Sequence, residues 1–142
     1  MDTSETYIHQ CDCVEVQQSC KVQSGDYFFC CCRDIEGYPD GYGVNVITSN
    51  DADHGNLDLI FSKTDIWLPR QDQIQEMMGR SCINRLINAL KHWMKVRDGW
   101  FDCNDKRWFG ISSMEQLWLA CYMYWEHNKY WNREIWVDLE GK

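Results

Sequence analysis

Ile66-Trp67-Leu68-Pro69-Arg70-Gln71-Asp72-Gln73-Ile74-Gln75-Glu76 is the stretch whose reading decides the fold. It opens apolar, passes through a proline and continues into a polar segment. All eight tryptophans lie from Trp67 to Trp136, and none comes earlier. Tryptophan carries the largest apolar side-chain surface, so this part of the chain is expected to hold most of the core. Proline is tolerated in the first turn of a helix, where its missing N–H costs nothing. Pro69 is therefore expected to open one. Downstream, apolar residues recur at Ile74, Met77, Met78, Cys82, Leu86, Leu90, Trp93 and Met94, a helical period that Asp98-Gly99 closes. Gly79 interrupts the run, and the sequence leaves open whether it splits the helix.

Upstream of this stretch the pattern favours strands. Residues 1–10 read as a loose start, and Cys11–Gln23, with Val14 and Val16 alternating, reads as a first strand. Ser24-Gly25-Asp26 is turn chemistry. Tyr27-Phe28-Phe29-Cys30-Cys31-Cys32 is a short apolar run of strand length, buried on both faces or nearly so. Val44–Thr48 is its expected hairpin partner, across a loop rich in glycine, proline and aspartate. Leu57–Ser62 has strand character as well.

Beyond Gly99 the sequence reads as a loop or short strand from Trp100 to Gly110, aromatic and mixed in charge. Ser112-x-x-Glu115 has the form of a capping box. It is followed by a stripe of Met114, Leu117, Trp118, Cys121, Tyr122 and Trp125 at helical spacing, as a core helix requires. Tyr130–Val137 is expected to end the fold as a turn and a short strand. Strands first and helices later predict an α+β fold. A small antiparallel sheet from the N-terminal half packs against two or three helices from the C-terminal half. At 142 residues a single domain spanning 1–142 is expected, with an acidic, cysteine-rich strand region at 1–66 and a tryptophan-rich helical region at 67–142.

Charge is divided along the chain. Residues 1–66 hold three Lys or Arg against twelve acids, a balance of −9, and residues 67–142 hold eleven against ten, a balance of +1. The division bears on partners rather than on fold, and it disfavours direct binding of nucleic acid, which needs a basic stripe. Met1-Asp2-Thr3-Ser4-Glu5-Thr6 lacks the basic and apolar regions of a secretory signal. No apolar run approaches the roughly 18 residues that span a bilayer. A cytoplasmic protein without membrane association is expected, and nine cysteines there read mostly as small buried hydrophobes.

The block Ile66–Glu76 together with Ser113-Met114-Glu115-Gln116-Leu117-Trp118-Leu119-Ala120 resembles a group of small phage and prophage proteins of unassigned function. These share a W-L-P-R-Q-D-Q block and an E-Q-L-W-L-A helix. In that group a W-N-G-x-x-W tail often follows; Trp131-Asn132-Arg133-Glu134-Ile135-Trp136 is similar but lacks the glycine. The resemblance covers roughly residues 66–137. It implies a viral origin and brings no established activity.

Several constellations carry chemistry on paper. Arg70, Gln71, Asp72 and Gln73 form either a polar surface at a helix N-terminus or simply a stabilised helix start, and the second reading is the stronger. Cys11, Cys13, Cys30 and Cys32 contain the ligand types for a tetrahedral zinc site, although their spacing is unlike the usual paired form. Whether they bind zinc is left open, and no cofactor is expected. Asp51-Ala52-Asp53-His54-Gly55-Asn56-Leu57-Asp58 is similar to a calcium loop but lacks its oxygen ligand at position 5, its glycine at 6 and its glutamate at 12, so an acidic surface loop is expected instead. His9, His54, His92 and His127 sit in no signature of nucleophilic catalysis, and no enzyme activity is expected.

The remaining feature is the acidic first half. Asp34, Glu36 and Asp40 in one loop and Asp51, Asp53 and Asp58 in the next are the candidate partner-binding residues. The expected partner is a host protein with a basic nucleic-acid-binding groove, such as a CRISPR nuclease. The chain would then act as a non-enzymatic, anti-CRISPR-like phage inhibitor, a nucleic-acid mimic working by protein–protein contact. The alternatives are a binder of a small nucleotide signal, using Trp100, Lys106, Arg107 and Trp108, and a zinc-stapled structural module.

Overall fold

A computed structural model describes residues 1–21, 23–30, 43–47, 65–79, 84, 87, 88, 90, 91 and 110–139. The chain is α+β, and it divides into two compact units. One is Thr3–Arg70; the other joins Met1–Asp2 to Gln71–Lys142.

The N-terminal unit begins with helices where the sequence reading expects a loose start and a strand. α1 spans Glu5–Cys11 and α2 spans Val14–Gln17. Ser4 caps α1 by accepting the Tyr7 N–H at 3.2 Å, and Glu5 in the first turn suits the helix dipole. In α2, Val16 is buried while Val14 stands 63% exposed. The Val-x-Val spacing that mimics strand alternation is thus a single helical turn, too short to display its own period.

Strands β1 (Tyr27–Cys30), β2 (Gly43–Val46) and β3 (Ile66–Leu68) form one antiparallel sheet in the order β2-β1-β3. β1 and β2 pair as the sequence predicts, with Phe28 opposite Asn45. The register on the other side sets Phe28 opposite Trp67. Gly25, at φ +87, accommodates the entry to β1: Gly25 and Asp26 together face Ile47, through Gly25 N–H to Ile47 C=O at 2.8 Å and Ile47 N–H to Asp26 C=O at 2.9 Å. Two residues opposite one, the first a glycine at positive φ, is a β-bulge. Among the described residues of this unit, Tyr7, Ile8, Cys11, Val16, Phe28, Ile47, Ile66, Trp67 and Leu68 are buried and apolar. The tryptophan-poor half therefore has apolar burial of its own.

Trp67-Leu68-Pro69 does not open a helix. Ile66–Leu68 is strand, and α3 begins only at Gln71, ending at Met78. Pro69 marks the exit from the strand, and its carbonyl accepts the buried Tyr7 hydroxyl at 2.5 Å. Gly79 takes φ +71 directly after α3, the left-handed conformation that glycine reaches without strain and that stops a helix. Asn84, Ile87, Asn88, Leu90 and Lys91 have helical backbone again, so the long apolar period is not one uninterrupted helix.

In the C-terminal unit α3 packs against α4, which spans Met114–Glu126. The N-cap of α4 is Ser113, one residue later than the capping box expected at Ser112. Its Oγ accepts the Gln116 N–H at 3.1 Å, while the Gln116 Oε1 reaches back to the Ser112 N–H at 2.9 Å. Asp2 completes the arrangement by accepting from Ser113 Oγ at 2.5 Å and Gln116 Nε2 at 2.8 Å. The helix is buried all round from Gln116 to Met123, rather than along one stripe. Asn128, at φ 56, then turns the chain into the hairpin of β4 (Lys129–Trp131) and β5 (Trp136–Asp138). The expected turn and short strand are two paired strands.

Candidate partner-binding surface

The six acids singled out from the sequence, Asp34, Glu36, Asp40, Asp51, Asp53 and Asp58, lie outside the described residues. The Asp51–Asp58 loop, His54, His92, Cys32, Trp100, Lys106, Arg107, Trp108 and the strand expected at Leu57–Ser62 lie outside them too. The unit that carries the six acids is partly described, and its chemistry can be assembled from there.

Thr3–Arg70 holds four Lys or Arg against eleven Asp or Glu, a balance of −7, leaving −1 of the total −8 to the other unit. The charge division thus follows the boundary between the units. One of the eleven is not on any surface. Asp26 is wholly buried and pairs with Arg70 Nη1 at 3.0 Å. Its second oxygen accepts the Gln23 N–H at 2.9 Å, and Arg70 Nη1 also donates to the Gly25 carbonyl at 2.9 Å. This pair cancels internally, so the −7 belongs entirely to other residues. Among the described ones, Glu5 and Asp12 are exposed at either end of α1.

The same pair settles the W-L-P-R block. Arg70 ties the exit of β3 to the bulge before β1. Gln73 is buried on α3, while Asp72 stands exposed in its first turn. Such an arrangement stabilises the strand exit and the helix start.

Cys11 is buried at the end of α1, Cys13 caps α2 and donates its thiol to the Gln10 carbonyl at 3.6 Å, and Cys30 ends β1. Cys11 at the end of α1 and Cys13 at the N-cap of α2 replace the strand expected there. Among the described residues no three His, Cys, Asp or Glu side chains gather as a metal-ion site. Cys20 is half-buried near Asp26; desolvation first, and the nearby negative charge second, push its thiol up to about 12. A thiol held protonated is a poor nucleophile. His127 caps α4 and meets the Tyr122 ring edge-on, centroids 4.9 Å apart, while His9 is exposed in the last turn of α1.

The sheet has two unlike edges. On β3, the Gln17 side chain holds both main-chain polar groups of Trp67, at 3.0 and 3.1 Å. On β2, Val44 and Val46 are 36% and 44% exposed. Strands β1 and β2 are legible in the sequence; β3, expected to lead straight into a helix, and this difference between the edges are not. Among the described residues no helix is long and apolar enough to cross a membrane. Comparison with protein-family models, curated proteins and solved structures finds no match.

Proposed function

We propose that this chain is a non-enzymatic phage inhibitor of a host nucleic-acid-binding defence effector, acting in the host cytoplasm by protein–protein contact through the acidic N-terminal unit. The observation that carries the reading is the coincidence of two boundaries. Negative charge concentrates within one compact unit, and the Asp26–Arg70 ion pair inside it leaves that excess untouched. Concentrated charge of one sign speeds encounter with a basic groove and competes with nucleic acid for it. Asp34, Glu36, Asp40, Asp51, Asp53 and Asp58 are the residues proposed to make the contact.

The test is capture from host lysate on the immobilised protein, followed by elution with rising salt. Ions screen exposed charges over about 10 Å at 0.1 M, so an electrostatic complex should release early, and excess double-stranded DNA should displace it. Replacing Asp34, Glu36 and Asp40 by lysine should abolish capture and leave the melting temperature nearly unchanged. Capture insensitive to both salt and charge reversal would defeat the proposal.

A further inference from the structure

We infer that the outer edge of β2, which pairs with no further strand among the described residues, is a docking strand for an extended basic segment of the partner protein, which adds to the sheet beside Val44 and Val46. The inference rests on the inhibitor reading above and specifies how the partner is held. Residues in an antiparallel strand turn their N–H and C=O groups alternately to one side and the other. Two observations fix the phase here. Ile47 directs its N–H inward to Asp26, and Trp67, opposite Phe28, directs its polar groups outward to Gln17. Counting back from Ile47, Asn45 faces inward to Phe28, and Val46 and Val44 face outward.

Those two valines therefore present both main-chain hydrogen-bonding groups and exposed apolar side chains at the sheet's outer edge. An edge that carries no further strand among the described residues is a template for strand addition, which natural sheets usually blunt. The β3 edge is blunted by Gln17. The charge of the unit selects the occupant. In sequence β2 lies between Asp40 and Asp51, within a unit whose balance is −7. A second copy would bring −7 against −7, whereas an extended segment alternating apolar residues with lysine or arginine matches both the edge and the charge.

The test uses the full chain and a synthetic peptide alternating valine and lysine. Adding the peptide should slow amide hydrogen exchange at Val44 and Val46 and leave the Trp67 amide unchanged. Val46→Pro removes an outward N–H and no ladder bond, so it should keep the fold and weaken the peptide about tenfold, the worth of one neutral main-chain hydrogen bond. Should that variant fail to fold, Val44→Lys puts a like charge at the edge and should weaken binding as well. No added protection at β2, or undiminished peptide binding in the folded variants, overturns the inference. Self-association of the protein alone, protecting the same two amides, overturns the basic-partner assignment in favour of a second copy. In the lysate assay, capture lost on charge reversal but intact in Val46→Pro overturns the strand edge and spares the acidic face. Capture lost in Val46→Pro alone supports the edge and overturns the acidic face.

Discussion

The side-chain amide of Gln17 serves Trp67 as a neighbouring strand would: its Oε1 accepts the Trp67 N–H at 3.0 Å, and its Nε2 donates to the Trp67 carbonyl at 3.1 Å. The same Nε2 donates to the Cys11 carbonyl at 2.8 Å. One residue at the end of α2 thus satisfies the outer edge of β3 and the end of α1 together, and it closes that edge to strand addition.

Replacing Gln17 by methionine keeps the length of the side chain and removes all three bonds. Leaving part-buried main-chain groups unpaired should cost about 2–3 kcal/mol. Gln17→Glu should cost at least as much, because it sets a carboxylate against two carbonyl oxygens. Denaturant unfolding measures both, and the Trp67 amide should exchange faster in each. A stable Gln17→Met protein would mean that water replaces the amide without loss.

Arg70 and Asp26 differ in exposure, 28% against none for the side chain, so removing the arginine strands a buried carboxylate. Arg70→Met should destabilise by about 3–5 kcal/mol. Adding Asp26→Asn should recover part of that loss, since the amide oxygen can still accept the Gln23 N–H while the buried charge disappears. A double-mutant cycle reads the coupling, and strictly additive losses would remove the pair from the account.

Cys20 supplies a pH dependence whose sign follows from its direction of shift. Its thiol titrates near 9.0 in the unfolded chain and is pushed up to about 12 by burial and then by Asp26. The fold favours the protonated thiol, so this stabilisation is fully present below 9.0 and is lost as pH climbs toward 12. Unfolding free energy should therefore fall across that window, and less steeply in Cys20→Ala. Alkylation of Cys20 should be slower in the native protein than in denaturant. Equal alkylation rates would show the thiol to be accessible and ionising normally.

What the sequence discloses and what it hides follows one physical division. Tyr27–Cys30 is legible because an apolar run of strand length after Gly25-Asp26 has few other uses, and the stretch after Ser113 is legible as a helix because it runs over three turns. α1 and α2 are hidden because seven and four residues give too little period, and their tertiary bonds through Tyr7 and Gln17 decide the matter. Pro69 misleads because a proline suits both a strand exit and a helix start. Charge division is readable directly; the unequal sheet edges are not, since they depend on a glutamine fifty residues away in sequence.

Arg133 shows where backbone geometry and side chain disagree. It follows β4 in the turn Asn132–Ile135, where Asn132 Oδ1 accepts from both the Glu134 and Ile135 N–H groups at 2.9 Å. That turn requires φ 88 at Arg133, a conformation that costs a residue with a Cβ about 1–2 kcal/mol. Glycine is what the backbone asks for at this place. Arg133→Ala removes the long side chain but keeps the strain; Arg133→Gly removes both. The glycine variant should exceed the alanine variant by about 1 kcal/mol in unfolding free energy, even though glycine elsewhere lowers stability. The Trp131 and Trp136 rings, 5.2 Å apart across the hairpin, provide a fluorescence readout of that unfolding. An alanine variant as stable as the glycine variant would show that the turn relaxes to negative φ at little cost.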